Sequence, residues 1–253
     1  MGTRRISGPA VAAIFAFFAA ATGTPARSQT IEENAVLCAN PNPETRLKAC
    51  TELLSDGADV SATDVYNNRG QAYSELGQTS SAIRDFDRAI EAWPSNAHAY
   101  SNRGLAYNDL GQPQRAIEDF DNAIKADPKS ASAYNNRCYV LSEIGRPKDA
   151  ISDCEQALKL APGDARMLDT LGYVRFRLGE YSQAIDAYDA ALKVSPGSAV
   201  SLYARGVAKE RLGDAQGNND MRAAIEIDRT IGKRLEKVGV TSEMPSFATA
   251  QSR

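Results

Sequence analysis

Apolar and small residues along this chain fall at helical spacing in short runs, and the runs come in pairs. Between residues 63 and 96 the first run carries Tyr66, Gly70, Ala72-Tyr73 and Leu76, and the second carries Ala82-Ile83, Phe86 and Ala89-Ile90. Spacings of three and four residues place each set on one side of a helix. Gly77 closes the first run and Pro94 follows the second. Glycine takes a left-handed C-terminal cap at little cost. Proline cannot donate to a continuing helix and restricts the residue before it. The stretch therefore predicts two helices joined by a short turn. Shifted by 34 residues, the pattern recurs at Tyr100, Gly104, Ala106-Tyr107, Leu110-Gly111, Ala116-Ile117, Phe120, Ala123-Ile124 and Pro128. Two more copies run from Ala131 to Asp164 and from Ala165 to Ser198. A fifth begins at Ala199 with one residue fewer between its helices, and has Arg229 where the others have proline.

Self-similarity at this period, helix–turn–helix throughout, marks a solenoid. On these residues the chain resembles the tetratricopeptide repeat (TPR) family over roughly residues 63–229. The resemblance implies an all-α fold, a right-handed superhelical solenoid of helix–turn–helix repeats. The expected organisation is 1–28 signal peptide, 29–62 N-terminal helical cap, and repeats at 63–96, 97–130, 131–164 and 165–198. A degenerate fifth repeat with a C-terminal helix follows at 199–238, then a disordered tail at 239–253. In the cap, residues 31–38 predict a short helix. A second starts at Pro43 and carries Leu47, Cys50, Leu53 and Leu54 on one face, as an array end needs if it is not to expose apolar surface.

Charge and composition alter this picture only at the ends. Arg4 and Arg5 precede a twelve-residue apolar run, Ala10 to Ala21, with small residues at Ala26 and Ser28 before Gln29. That is the layout of a bacterial secretory signal. The run is shorter than the roughly 20 residues a membrane span needs, although an uncleaved anchor is the alternative. Export to the periplasm or outside the cell is expected, with no stable membrane insertion after cleavage. Losing residues 1–28 removes three Arg and no acid, taking the net charge from −3 to −6. A pI near 5.4 gives no basic footprint, so nucleic acid is not an expected partner.

Four cysteines fit an oxidising compartment. Cys138 stands at the eighth repeat position, where the other copies have Gly70, Gly104, Gly172 and Gly206. Cys154 stands at the twenty-fourth, where they have Phe86, Phe120, Tyr188 and Met221. A small residue on one helix that faces a bulky one on the next has become Cys on both sides, so a Cys138–Cys154 bond is expected. Two separate buried thiols are the alternative. Cys38 and Cys50 are left to pair across the Asn40-Pro41-Asn42-Pro43 turn. No His lies near these cysteines and neither spacing suits a metal, so neither metal nor cofactor is expected.

Arg69, Arg103, Arg137 and Arg205 occupy the seventh position and Asp85, Asp119, Asp153 and Asp220 the twenty-third. The fourth repeat has Leu171 and Ala187 instead. This co-occurrence predicts structural ion pairs in four repeats and an apolar contact in one. An Arg ladder for an anionic ligand is the alternative.

No nucleophile elbow, phosphate loop or metal-spaced cluster is present, and the one His, His98, has no evident acid–base partner. The chain is not expected to be an enzyme. The resemblance implies that the first helices line a concave groove that binds a protein or peptide. Asn68, Asn102 and Asn136 share the sixth position as a candidate amide ladder for an extended backbone, against the alternative that Asn is merely common at that position. Tyr139, Tyr173, Phe176, Arg177 and Tyr203 are candidate side-chain anchors, against burial under the C-terminal helix. The function expected is a non-catalytic interaction scaffold that binds an extended peptide or partner helix. A structural or glycan-binding role in a cell-envelope assembly is the second expectation. Groove positions that other TPR modules fill with Lys and Arg to grip a terminal carboxylate are here Asn67, Ser132 and Asn136, so that function is not expected.

Overall fold

The computed structural model describes residues 26–57 and 61–242, with side chains from residue 31 onward. The charged and apolar parts of the expected export signal, and residues 243–253 of the expected tail, lie outside the described residues. Within them are thirteen helices and no strand. Two precede the array: α1, Ala26–Leu37, and α2, Pro43–Ser55. Five helix pairs follow: α3 Ala62–Glu75 with α4 Thr79–Ala92, α5 Ala97–Asp109 with α6 Pro113–Ala126, and α7 Ala131–Glu143 with α8 Pro147–Leu160. The last two are α9 Ala165–Arg177 with α10 Tyr181–Val194, and α11 Ala199–Arg211 with α12 Gly217–Ile227. A short α13, Ile231–Glu236, ends the fold. Each helix packs on its neighbours in sequence, and the first helices of successive pairs also touch. Helix pairs stacked this way form a solenoid in which each unit leans on the next.

Local chemistry sets the helix limits. Each first helix opens with a side chain that accepts from a backbone N–H of the first turn: Ser61, Asn96, Ser130, Asp164 and Ser198. Such caps satisfy a donor that the helix leaves orphaned. Each first helix ends at a glycine with φ between 69° and 81°, Gly77 through Gly213, where a side chain would be strained.

Two expectations shift at the ends. The first cap helix starts at Ala26 rather than residue 31, so the expected cleavage point before Gln29 falls in its first turn. Asn34 anchors that helix by donating to Glu52 of α2 at 2.9 Å. At the other end, residues 239–242 are not free tail. Val240 is 1% exposed and belongs to the core of the last repeats.

The contact between the helices of a pair repeats along the array. A Cβ placed on Gly70 would lie 2.6 Å from the Phe86 ring, and Gly104 and Gly172 meet Phe120 and Tyr188 in the same way. In the third pair, Cys138 and Cys154 hold this place as a disulfide, their Cα atoms 5.5 Å apart. Cys38, just past the end of α1, and Cys50 of α2 form a second bond. In the fifth pair the approach is backbone to backbone. A Cβ on Gly206 would sit 2.7 Å from the carbonyl oxygen of Gly217. With only Gly at both places, α12 closes on α11 despite its missing residue.

The arginines do more than a single pairing requires. Arg69, Arg103, Arg137 and Arg205 each grip the Asp of their own pair through two N–H groups, at 2.6–2.9 Å. Three also reach back to the preceding pair, to Asp87, Asp121 and Asp189, each at 2.6 Å. Burial opposes the charge on Arg103, but the bonds to Asp119 and Asp87 outweigh it and raise its pKa. In the fourth pair, Leu171 packs against the cluster of Cys138, Cys154 and Val174. There the cation has moved one helical turn on: Arg175 binds Glu155 of the preceding pair at 3.0 Å and Glu180 at 2.6 Å. A bidentate Arg matches a carboxylate's geometry, so the net fixes how successive pairs register on one another. Two Tyr rings on the same helix flank Arg69, Tyr66 and Tyr73 at 5.7 and 5.8 Å, and two flank Arg103, while Arg137 has one, Tyr134.

Candidate functional site

The first helices α3, α5 and α7 carry an open polar face. A cavity of about 410 Å³ lies between α3 and α5, lined by Gln71, Ser74, Glu75, Asn102, Leu105 and Asp109 among others. Asn68, Asn102 and Asn136 are each half-buried. Asn102 donates from Nδ2 to Oδ1 of Asn67 at 2.9 Å. The amide bond thus runs from the fifth position of one pair to the sixth of the next, not down the sixth column. Among the described residues the side chains of Asn68 and Asn136 make no hydrogen bond. Asn135 holds the register of Asn67, and its Oδ1 is buried without a partner. The following pair offers Thr170 there, whose hydroxyl is donated to the carbonyl of Arg166 instead.

Three expected aromatic anchors are not open. Tyr173 and Phe176 are 7% exposed and Tyr203 9%, all within the core that includes Ile231 and Val240. The chain covers them with its own C-terminal segment, which has to bury Ile231, Leu235 and Val240 somewhere. A Cβ on Gly232 would sit 3.0 Å from the hydroxyl of Tyr203. Beyond α13 the chain makes a turn at residues 237–239, capped by Gly239 at positive φ, and then leaves helical structure, held by side chains of α9 and α11. The Tyr173 hydroxyl donates to the carbonyl of Val238 at 3.1 Å. Arg211 donates to the carbonyl of Thr241 at 2.9 Å, and the Ser242 hydroxyl donates to Glu210 at 3.0 Å. Arg177 backs this grip by donating to the Tyr173 hydroxyl at 2.8 Å. Burial, with Arg177 pulling the other way, raises the Tyr173 pKa. Tyr139, half-buried and 5.7 Å ring to ring from Tyr173, donates to Glu143 at 2.9 Å. Burial first and then the Glu143 charge raise its pKa. Tyr139 and Arg177 thus stand where the open face meets the covered one. A second cavity of about 380 Å³ lies at that junction, lined by Glu143, Tyr173, Arg177, Lys237, Val238 and Gly239.

The covered half is testable by itself. Val240→Asp should place a carboxylate in the apolar cluster of the last repeats, at a cost of about 2 kcal/mol or more. The expected result is release of the segment after α13, seen as faster proteolysis beyond residue 230 and new binding of a hydrophobic dye. An unchanged digestion pattern would mean that the segment contributes little to the fold.

Sequence profiles place this architecture. One described as a tetratricopeptide repeat matches residues 97–130 and 131–164, and one described as a TPR repeat matches 70–111 and 172–213. Together they span more than half of the 253 residues. The chain belongs to the tetratricopeptide repeat family. No curated protein matches it significantly. Solved TPR structures align with this one. A MamA structure is 27% identical and covers 68% of this chain and 95% of its own, with a TM-score of 0.56. MamA from Desulfovibrio magneticus RS-1, residue 41 to the end, is 24% identical and covers 68% and 98%, with a TM-score of 0.59. YrrB, described as a TPR protein with an unusual peptide-binding site, is 22% identical and covers 76% and 99%, with a TM-score of 0.55.

Among the described residues no helix is long and apolar enough to cross a membrane, and no cluster of His, Cys, Asp or Glu has the arrangement of a metal site. His98 is exposed at the start of α5. TPR arrays of this kind are generally interaction scaffolds rather than catalysts, and two disulfides point to an oxidising compartment.

Proposed function

We propose that this protein is a non-catalytic scaffold, exported from the cell, that holds an extended peptide segment along the open concave face of α3, α5 and α7. The observation that carries this reading is the chain's own C-terminal segment. After a turn at residues 237–239 the chain continues through residues 240–242 without helix, and side chains of α9 and α11 grip the carbonyls of Val238 and Thr241. The same face continues through α7, α5 and α3, where polar side chains are half-buried and a cavity stands open. There Asn68, Asn102 and Asn136 can each donate to and accept from a peptide group without reading its side chain. YrrB, which shares the fold, is described as having an unusual peptide-binding site. A glycan-binding role loses its main support, because Tyr173, Phe176 and Tyr203 are covered.

The test compares wild type with the Asn68/Asn102/Asn136 triple Ala variant in affinity capture from the cell envelope, followed by titration of the recovered partner. Each lost amide contact is worth about 0.5–1.5 kcal/mol, so affinity should fall at least about tenfold with the melting curve little moved. Equal affinity for both forms would remove the amides from the binding site.

A further inference from the structure

Resting on the peptide reading, we propose that the open half of the groove selects a cationic segment: an extended peptide with two Lys or Arg residues two to four positions apart, held by Asp109 and Glu143. The argument begins with a row of positions. The thirteenth residue of each repeat is Glu75, Asp109, Glu143, Arg177 and Arg211 in turn. In the last two repeats this row already handles a bound segment. Arg211 donates to the Thr241 carbonyl, and Arg177 supports the Tyr173 hydroxyl that holds Val238. The row is therefore a contact row for a chain lying on the concave face, and its sign reverses between Glu143 and Arg177. Whatever lies along the first three repeats meets carboxylates where the C-terminal segment meets guanidinium groups.

Those carboxylates keep their charge largely uncompensated. The second, fifth, sixth, ninth, twelfth and thirteenth positions of the first three repeats, those expected to face the groove, include Asp64, Glu75, Asp109 and Glu143 and no Lys or Arg. Arg69, Arg103 and Arg137 on the same helices are consumed by bidentate pairs with Asp85, Asp119 and Asp153. Glu75 is answered by Arg46 of α2 at 2.8 Å. Glu143 receives only neutral donors, the Tyr139 hydroxyl at 2.9 Å and the Asn108 amide at 3.4 Å. Asp109 lines the open cavity and has no ion-pair partner among the described residues. Asp109 is exposed at the rim of that cavity, and partial desolvation raises its pKa with no cation beside it to pull the other way. At the junction of the two halves Lys237 of the C-terminal segment shares a cavity with Glu143, so a cation already stands at one end of the acidic stretch.

Spacing sets the ligand. Packed helices lie about 8–10 Å apart, and an extended chain rises about 3.3 Å per residue. Neighbouring carboxylates of the row therefore match cations about three residues apart, and the reach of Lys and Arg side chains widens this to two to four.

The probes are three labelled twelve-residue peptides of Ala, Ser and Gly that differ only in two positions three apart: Lys, Gln or Glu. Binding to the full chain is followed by fluorescence anisotropy at about 50 and 200 mM salt. The Lys peptide should bind about tenfold tighter than the Gln peptide, from one contact at exposed Asp109 and one at half-buried Glu143. The advantage should shrink at the higher salt. Asp109→Asn/Glu143→Gln should bring the Lys peptide to the level of the Gln peptide. Glu118→Gln/Asp186→Asn, which removes equal charge from exposed sites on second helices, should leave it unchanged. Equal loss in both double variants would overturn the site and leave only a net-charge effect. Equal binding of all three peptides, lost in the Asn triple Ala variant, would overturn the charge selection and keep the peptide groove. Preference for the Glu peptide would reverse the proposal. No binding of any peptide at millimolar concentration would overturn both readings.

Discussion

Arg103→Leu is expected to destabilise the array by about 3 kcal/mol or more, and Asp119→Ala added to it should restore most of that loss. The single change strips the cation from Asp119, whose side chain is 5% exposed. A carboxylate left buried without a partner costs several kcal/mol, whereas an apolar replacement of the whole pair is often nearly neutral. The protein contains its own precedent, since the fourth repeat has Leu171 and Ala187 at the two positions and folds like the others. Asp87, which also loses Arg103, is 43% exposed and can turn to water. Urea unfolding of the wild type, both single variants and the double variant closes the cycle. A double variant no more stable than Arg103→Leu would show that the arginine acts through packing against Tyr100 and Tyr107, 5.6 and 5.9 Å from its guanidinium, rather than through Asp119.

The second large effect concerns the disulfide of the third repeat. In a background with Ser at positions 38 and 50, reduction should cost about 3 kcal/mol, the value for closing a loop of this length; the bonded residues are 16 apart. Cys138→Ala/Cys154→Ala should lose at least as much, because it also leaves a void. Cys138→Gly/Cys154→Phe should recover about 2 kcal/mol and become indifferent to reductant. It rebuilds the contact that Gly70 makes with Phe86 and Gly104 with Phe120. If the Gly/Phe variant is no better than the Ala pair, the third repeat has drifted too far from its siblings to accept their contact. Thermal unfolding with and without reductant decides it.

The repeat signal carried much of this architecture, because each repeated position has one physical task. A glycine at positive φ, a proline past a helix end and a small residue under an aromatic ring leave the same mark in copy after copy. The Arg and Asp positions were legible through their joint loss in repeat four. Their second partners were not legible from that loss, although Asp87, Asp121 and Asp189 also recur at one position. Nor was the compensating shift to Arg175, which becomes visible only when Leu171 is read one helical turn further on. The candidate site was less legible. Tyr173, Phe176 and Tyr203 look like anchors by residue type, and nothing periodic says that a non-repeating segment will cover them. Residues 231–242 follow no repeat pattern, so their docking depends on a shape formed only once the array is stacked. The sign change along the thirteenth position is present in the sequence, but its role depends on the bond from Arg211 to the Thr241 carbonyl, which no repeat pattern encodes.

The bond between Tyr173 and Val238 joins residues 65 apart, in a molecule where most packing is between neighbours in sequence. A chain made from its N-terminus can stack its repeats in order as they emerge. The aromatic floor of α9 and α11 is complete well before residues 231–242 exist to cover it. Between those two moments the nascent protein exposes Tyr173, Phe176 and Tyr203 as an open apolar patch. The last dozen described residues thus act late, as the step that makes a finished solenoid safe to release.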